Sequence, residues 1–156
     1  MISQTAEYAL RAVVWLASRP DEAFTAQALA VHIHVPAGYL AKVMNALVRA
    51  RLLVSQRGRN GGFRLRDEAS GISVLDIVDA VDPIRRIQSC PLGLTTHGLR
   101  LCPLHRRLDQ AVAMVRKAFG GTTVGALLAE SSSSPILCER RARRPARRAP
   151  ARSTGR

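Results

Sequence analysis

Apolar residues recur at helical spacing through the N-terminal third of the chain. The spacing predicts a first helix over about residues 4–18, whose apolar stripe is Ala6, Ala9, Leu10, Val13, Val14 and Ala17. Thr25 suits the N-cap of a short second helix, and Pro36 suits the first turn of a third. The third helix has a continuous apolar face, formed by Leu40, Val43, Met44, Leu47 and Val48.

The period of the pattern changes after the third helix. Residues 52–56 and 63–66 read as strands, and the glycine-rich stretch 57–62 between them predicts a β-hairpin tip. A fourth helix should begin at Ser73, since Asp76 completes a capping box, and should end near residue 82. Three helices followed by a two-stranded hairpin predict a mainly α fold with a small β-hairpin wing, a winged helix-turn-helix.

The C-terminal half divides into a loop, a long helix and a tail. Residues 84–101 show no sustained period, whereas a heptad-like stripe predicts a helix over 103–119 that pairs with another helix: Leu104, Leu108, Ala111, Val115 and Ala118. A short last helix should run to about residue 129. The predicted organisation is therefore a winged region at 1–83, a cysteine/histidine loop at 84–101, a dimerisation helix and short helix at 102–130, and a disordered basic tail at 131–156.

Composition excludes several classes of protein. The 156 residues are 47% hydrophobic, which is enough for one core, yet no apolar run reaches the length of a membrane span. The N-terminus lacks the features of a signal peptide, and three cysteines argue for metal or redox use rather than a disulfide framework. We therefore expect a cytoplasmic protein. No catalytic constellation is evident, so we expect no enzyme.

The formal net charge of +13 includes one stretch that suggests a partner. Between Lys42 and Arg66 the chain carries seven basic side chains and no acidic one, as expected for a surface that binds double-stranded DNA. The third helix would enter the major groove, and the hairpin tip would reach the minor groove or the phosphates. The predicted DNA-binding residues are Gly38, Tyr39, Lys42, Asn45, Arg57, Arg59 and Asn60.

The loop before the long helix has the residues of a metal site. A Cys-Pro-Leu unit occurs at Cys90 and again at Cys102, with His97 between them and His105 three residues after the second cysteine. Two thiols and two imidazoles suit a soft transition metal. The spacing alone allows either a zinc ion closed by these four residues or a two-iron cluster with mixed Cys/His ligation.

These motifs together resemble the IscR/NsrR family of winged-helix transcription regulators, which are homodimers with an iron–sulfur sensor. The similarity spans about residues 1–130. It rests on Ala6-Glu7-Tyr8-Ala9-Leu10-Arg11, Tyr39-Leu40, the wing Arg57-Gly58-x-x-Gly61-Gly62, Ile77-Val78-x-Ala80-Val81-Asp82, and a cysteine loop before a long helix.

The resemblance implies a ligand set for an iron–sulfur cluster. Cys90 and Cys102 match the first and last of the family's three cysteines, His105 matches a ligating histidine, and Glu7 matches an acidic residue that ligates the partner subunit's cluster in some members. The middle cysteine falls on Thr96, so the three-cysteine site cannot form. The resulting hypothesis is an iron–sulfur cluster, and the 2Fe-2S type is favoured. Cys90 and Cys102 would hold this cluster, and two further ligands would come from His105, Glu7 and His97. Zinc is the alternative metal.

The resemblance also implies the function. A homodimer would bind a palindromic operator with half-sites about one or two helical turns apart. The cluster would control operator affinity and sense redox state, nitric oxide or iron–sulfur status, most simply in a repressor. The alternative is a metallothiol protein, a zinc-stabilised adaptor or cluster carrier, that uses the winged fold for protein contacts.

Overall fold

The structure is a computed structural model, and it describes residues 2–58, 61–90 and 101–130. In this part of the chain, six helices and one two-stranded antiparallel sheet confirm the predicted mainly α fold. The elements are α1 (Gln4–Ala17), α2 (Ala26–Ile33), α3 (Ala37–Arg49), β1 (Leu53–Gln56), β2 (Gly62–Leu65), α4 (Val74–Val81), α5 (Pro103–Gly120) and α6 (Val124–Ala129), with a 3₁₀ turn at Ala69–Gly71.

Local capping fixes the helix starts where the sequence predicts them. The Thr25 hydroxyl accepts a hydrogen bond from the Ala28 amide and begins α2. Ser73 and Asp76 form a reciprocal capping box at the start of α4. Between α2 and α3 the chain turns at His34, whose backbone is left-handed with φ 54°. This turn orients α3 across the core.

The main hydrophobic core lies among α1, α2, α3 and the first strand. Trp15 of α1 is buried there, stacked on the His32 ring with 4.6 Å between centroids. Leu40 and Leu47 of α3 are fully buried in the same core. Because α3 commits its apolar face to the core, its polar face is left on the surface.

The wing is joined to the rest of the domain through Leu53 in the main core and through the connection between α1 and α2. Strands β1 and β2 pair with Leu53 opposite Leu65 and Gln56 opposite Gly62. Phe63 also exchanges two backbone hydrogen bonds with Phe24, which lies in the connection between α1 and α2, at 2.8 and 3.1 Å. The connection therefore acts as a short third strand that fixes the angle of the wing.

The last two helices have different environments. Helix α5 packs on α4 along one side, while Leu104 and Met114 are 64% and 67% exposed on another. Helix α6 returns to the winged region, where Val124 is fully buried in the main core and its amide donates to the Ile72 carbonyl. None of the helices in the described ranges has the length and apolar character needed to cross a membrane.

Candidate metal centre and nucleic-acid interface

Three of the predicted ligands lie together at the start of α5. Cys102 is the N-cap residue of this helix, and His105 follows in its first turn. Cys90 comes from the segment that follows α4 and is buried, with 8% exposure. The His105 Nδ1 atom lies 3.2 Å from the Cys102 Sγ atom and 3.8 Å from the Cys90 Sγ atom. All three donor atoms lie within 4.8 Å of one another, and we call Cys90, Cys102 and His105 the metal triad.

The donor spacing can be compared with the geometry of a metal ion. Metal–ligand distances of about 2.3 Å to sulfur and 2.0–2.1 Å to nitrogen place a sulfur and a nitrogen donor of a tetrahedral zinc ion about 3.5–3.6 Å apart. The two sulfur–nitrogen distances of 3.2 and 3.8 Å bracket that value. Two thiols and an imidazole also suit an iron–sulfur cluster chemically. A two-iron cluster takes two protein ligands at each iron, so it requires a fourth donor and a wider spread of the triad.

A further predicted ligand, Glu7, lies apart from this group within one chain. Glu7 lies on α1, exposed to solvent, and its carboxylate accepts hydrogen bonds from the Arg11 guanidinium at 2.5 and 2.9 Å. Within one chain, therefore, Glu7 is paired with a neighbour on its own helix. His97 and Thr96 lie outside the described residues. The participation of Glu7 and His97 in metal binding stays a prediction.

The exposed face of α3 carries the predicted base-reading residues. Gly38, Tyr39, Lys42 and Asn45 are all exposed, on the side opposite the core. Tyr39 is also attached to α1, because its hydroxyl hydrogen-bonds to the Thr5 hydroxyl and its ring packs edge-on against Tyr8 at 5.8 Å. These two contacts therefore fix the position of the first turn of α3 relative to α1.

The predicted wing residues are only partly described. Arg57 directly follows β1 and is exposed, whereas Arg59 and Asn60 lie outside the described residues. The exposed Arg64 and Arg66 lie on and just after β2, so the basic side chains continue along the hairpin. Helix α3 and the wing therefore both carry exposed basic side chains, which we call the basic surface, as expected for a protein that contacts both bases and phosphates.

Sequence reasoning did not detect an ionic cluster beside the triad. The Arg86 guanidinium donates two hydrogen bonds to Asp109, through Nε at 2.6 Å and Nη2 at 2.5 Å. The hydrogen bonds from Arg86, together with that from the Ile87 amide, hold the pKa of the Asp109 carboxyl below its usual range. One signal was available: Asp109 is the only acidic residue of α5, although its partner could not be identified from spacing.

Together, the fold and the basic surface define a winged-helix DNA-binding protein. Residues 2–130 match the Rrf2 family, described as iron-dependent transcriptional regulators. The chain belongs to the Rrf2 family. The protein is therefore a DNA-binding transcription regulator and not an enzyme, as expected from the sequence.

Solved structures share this fold. The Bacillus subtilis CymR, described as the global cysteine regulator of that organism, is 23% identical, with a TM-score of 0.69 over 85% of this chain and 98% of that one. The oxidized form of Staphylococcus aureus CymR is 25% identical, with a TM-score of 0.67 over 85% and 99%. IscR of T. potens is 18% identical, with a TM-score of 0.68 over 86% and 93%. The expected resemblance to IscR-type regulators is confirmed.

Proposed function

We propose that this protein is a cytoplasmic, sequence-specific repressor whose affinity for a palindromic operator is controlled by a metal centre at the metal triad. The observation that supports this most directly is the position of the triad. Its three donors bring the segment that leads from α4 to Cys90 together with the first turn of α5. Metal binding there constrains both elements at once, because one ion or cluster must satisfy donors from both.

The identity of the metal centre has two candidates. The resemblance to iron–sulfur sensors favours a 2Fe-2S cluster, with a fourth ligand from His97 or from Glu7 of a partner subunit. Such a centre would respond to redox state, nitric oxide or iron–sulfur status. The donor spacing of 3.2 and 3.8 Å favours a single tetrahedral ion such as zinc. Either centre would act on the same two elements.

A homodimer connects the centre to DNA. The apolar stripe of α5 is largely exposed, including Leu104 and Leu108, and two such stripes would bury each other across a two-fold axis. The spacing between two α3 helices would then depend on how α5 is joined to the winged region. Metal binding can change operator affinity only if the metal binds the DNA-competent conformation more tightly or more weakly than the other conformations. The change in operator affinity is limited to that difference in metal-binding free energy.

The experiment compares loaded and metal-free protein on the same operator. Full-length protein is purified without oxygen, and iron, acid-labile sulfide and zinc are measured per chain. An operator is selected from genomic DNA, and its affinity is then measured by fluorescence anisotropy at fixed salt. We expect the two forms to differ by about 5- to 150-fold, the usual range of coupling between two sites.

The Cys90→Ala, Cys102→Ala double variant is the matched control. It should retain DNA binding and lose the response to metal, since neither cysteine is among the predicted DNA-binding residues. Equal affinity of the loaded and metal-free wild-type forms would overturn the proposed regulation. Full metal occupancy in the double variant would overturn the proposed site. Stoichiometric zinc in colourless protein purified without oxygen would exclude the iron–sulfur cluster in favour of zinc.

A further inference from the structure

Two arginine–aspartate pairs hold the chain that links α4 to Cys90. Nearer α4, the Asp79 carboxylate accepts a hydrogen bond from the Ile84 amide at 3.1 Å. The Arg116 guanidinium donates to Asp79 at 2.9 Å and to the Ile84 carbonyl at 2.6 Å. Nearer the triad, Asp109 accepts both hydrogen bonds of Arg86 and a third, at 2.9 Å, from the Ile87 amide. We call Arg86, Ile87 and Asp109 the carboxylate clasp.

The carboxylate clasp joins the two halves of the metal triad. Asp109 lies one helical turn after His105 on α5, so its carboxylate moves with that ligand. Ile87 lies three residues before Cys90 in a segment with no regular secondary structure. A single carboxylate therefore fixes the chain that carries one ligand to the helix that carries the other two.

The geometry of the clasp is specific. Asp109 is only 9% exposed, and a buried carboxylate is costly unless it is paired and hydrogen-bonded. Here one oxygen accepts from Arg86 Nε and from the Ile87 amide, while the other accepts from Arg86 Nη2. The paired contacts of a guanidinium and a carboxylate set direction as well as distance. A clasp of this kind limits how far Cys90 can move from the start of α5.

We propose that Asp109 is a positioning residue for the metal centre, holding Cys90 opposite Cys102 and His105 through Arg86 and the Ile87 backbone. This inference depends on the proposed metal centre but applies to zinc and to a cluster alike. Asp109 itself is not a ligand in this proposal, since its acceptor positions face Arg86 and Ile87. Its effect on the metal is that of an outer partner that orients the ligands.

The test uses cobalt(II) added to metal-free, full-length protein, since the absorption of a cobalt–thiolate centre reports both affinity and ligand geometry. Asp109→Asn should bind cobalt about 10- to 100-fold more weakly than wild type, the usual loss for an outer partner of a ligand, and its bands should shift. Asp79→Asn is the matched control. It also removes a carboxylate paired with an arginine, but at the end of the segment farther from Cys90, and should bind cobalt within about threefold of wild type.

A merely structural role predicts a different result. Urea unfolding of the metal-free variants should then show a loss of stability in both Asp79→Asn and Asp109→Asn. The cobalt titration should show no additional loss of affinity in Asp109→Asn. Arg86→Lys keeps the charge but not the two-pronged contact, and it serves as the second variant should Asp109→Asn not fold. We expect Arg86→Lys to weaken cobalt binding at least fivefold.

The outcomes separate the two proposals. If wild type binds cobalt and Asp109→Asn and Arg86→Lys bind it equally well with the same spectrum, the positioning role is overturned while the metal centre stands. If wild type itself shows no thiolate–cobalt absorption and also holds no iron, sulfide or zinc after purification without oxygen, both the metal centre and its positioning residue are overturned. Weaker binding with a shifted spectrum in both clasp variants, together with near-normal binding in Asp79→Asn, supports the proposal.

Discussion

Single residues of the basic surface differ in how firmly the protein holds them. Tyr39 is 42% exposed, but its hydroxyl and ring are both engaged by residues of α1. Arg57 stands at the end of β1 with its guanidinium on the surface. Because two contacts with α1 hold the Tyr39 side chain, it can fix the position of the α3 backbone. The exposed Arg57 side chain can instead adjust to the positions of the phosphates. We therefore assign Tyr39 to positioning α3 and Arg57 to electrostatic contact with DNA.

Arg57→Ala should weaken DNA binding almost equally on specific and nonspecific sequences. The plot of log affinity against log salt has a negative slope, and loss of one phosphate contact reduces the magnitude of that slope by about 1. The measurement is fluorescence anisotropy at four or five salt concentrations, on the selected operator and on an unrelated duplex. Lys117→Ala, which removes one exposed positive charge from the last turn of α5, is the control and should leave the slope unchanged. An unchanged slope for Arg57→Ala would remove the wing from the proposed interface.

At the level of secondary-structure elements, the wing depends on backbone contact with the connection between α1 and α2. Gly62 begins β2 at φ 156°, and a Cβ atom there would lie 2.5–2.8 Å from backbone atoms of Phe24. These are atoms that cannot rotate away as a side chain can. The close approach therefore requires glycine at this position. The sequence shows the glycine as part of a hairpin but gives no sign of the strand that it faces.

Gly62→Ala should displace the wing from Phe24 and cost about 1–3 kcal/mol of unfolding free energy, the usual range for forced backbone strain. It should also weaken operator binding, because the wing would approach DNA at a different angle. Urea unfolding and anisotropy measure the two effects. Gly71→Ala has open space around its new Cβ atom and should leave both nearly unchanged. Wild-type stability in Gly62→Ala would show that the wing is not fixed by this contact.

Elements defined by neighbouring residues were predictable from sequence, and contacts between distant residues were not. The capping box at Ser73 and the apolar face of α3 each depend on residues within a few positions of one another, so pattern and spacing identify them. The pairing of Arg86 with Asp109 spans 23 positions and follows only from the packing of α5. Cys90, Cys102 and His105 could be proposed together because they share one loop and its helix, but their distances required the fold.

For the whole molecule, α5 is an element whose packing within one chain is incomplete. Leu104 and Leu108 are exposed near its start, and Ala111 and Ala118 continue the same stripe toward its end. Solvent contact along a stripe of this length is unfavourable for an isolated chain. A second copy of α5, related by a two-fold axis, would cover it with its own equivalent residues. We expect the functional protein to be a dimer formed through this stripe.

Leu108→Glu should convert the dimer to a monomer, because two carboxylates would meet across the two-fold axis in an apolar contact. Light scattering after size-exclusion chromatography gives the mass, and anisotropy should show operator affinity lowered at least about tenfold as the second half-site contact is lost. Gln110→Glu introduces the same charge at another exposed position of α5 and should remain dimeric. A wild-type monomer, or an undiminished dimer in Leu108→Glu, would contradict the proposed interface.

The return of α6 to the winged region has a consequence for how the protein is made. Val124 fills part of the core that α1 begins, and its amide bonds to the Ile72 carbonyl near the start of α4. On the ribosome, the N-terminal helices emerge long before the residue that completes their packing. A nascent or prematurely terminated chain therefore lacks a finished DNA-binding domain until the cysteine loop and α5 have also been synthesised. Fragments that lack α5 and still form a complete DNA-binding domain are thus disfavoured by the order in which the core is assembled.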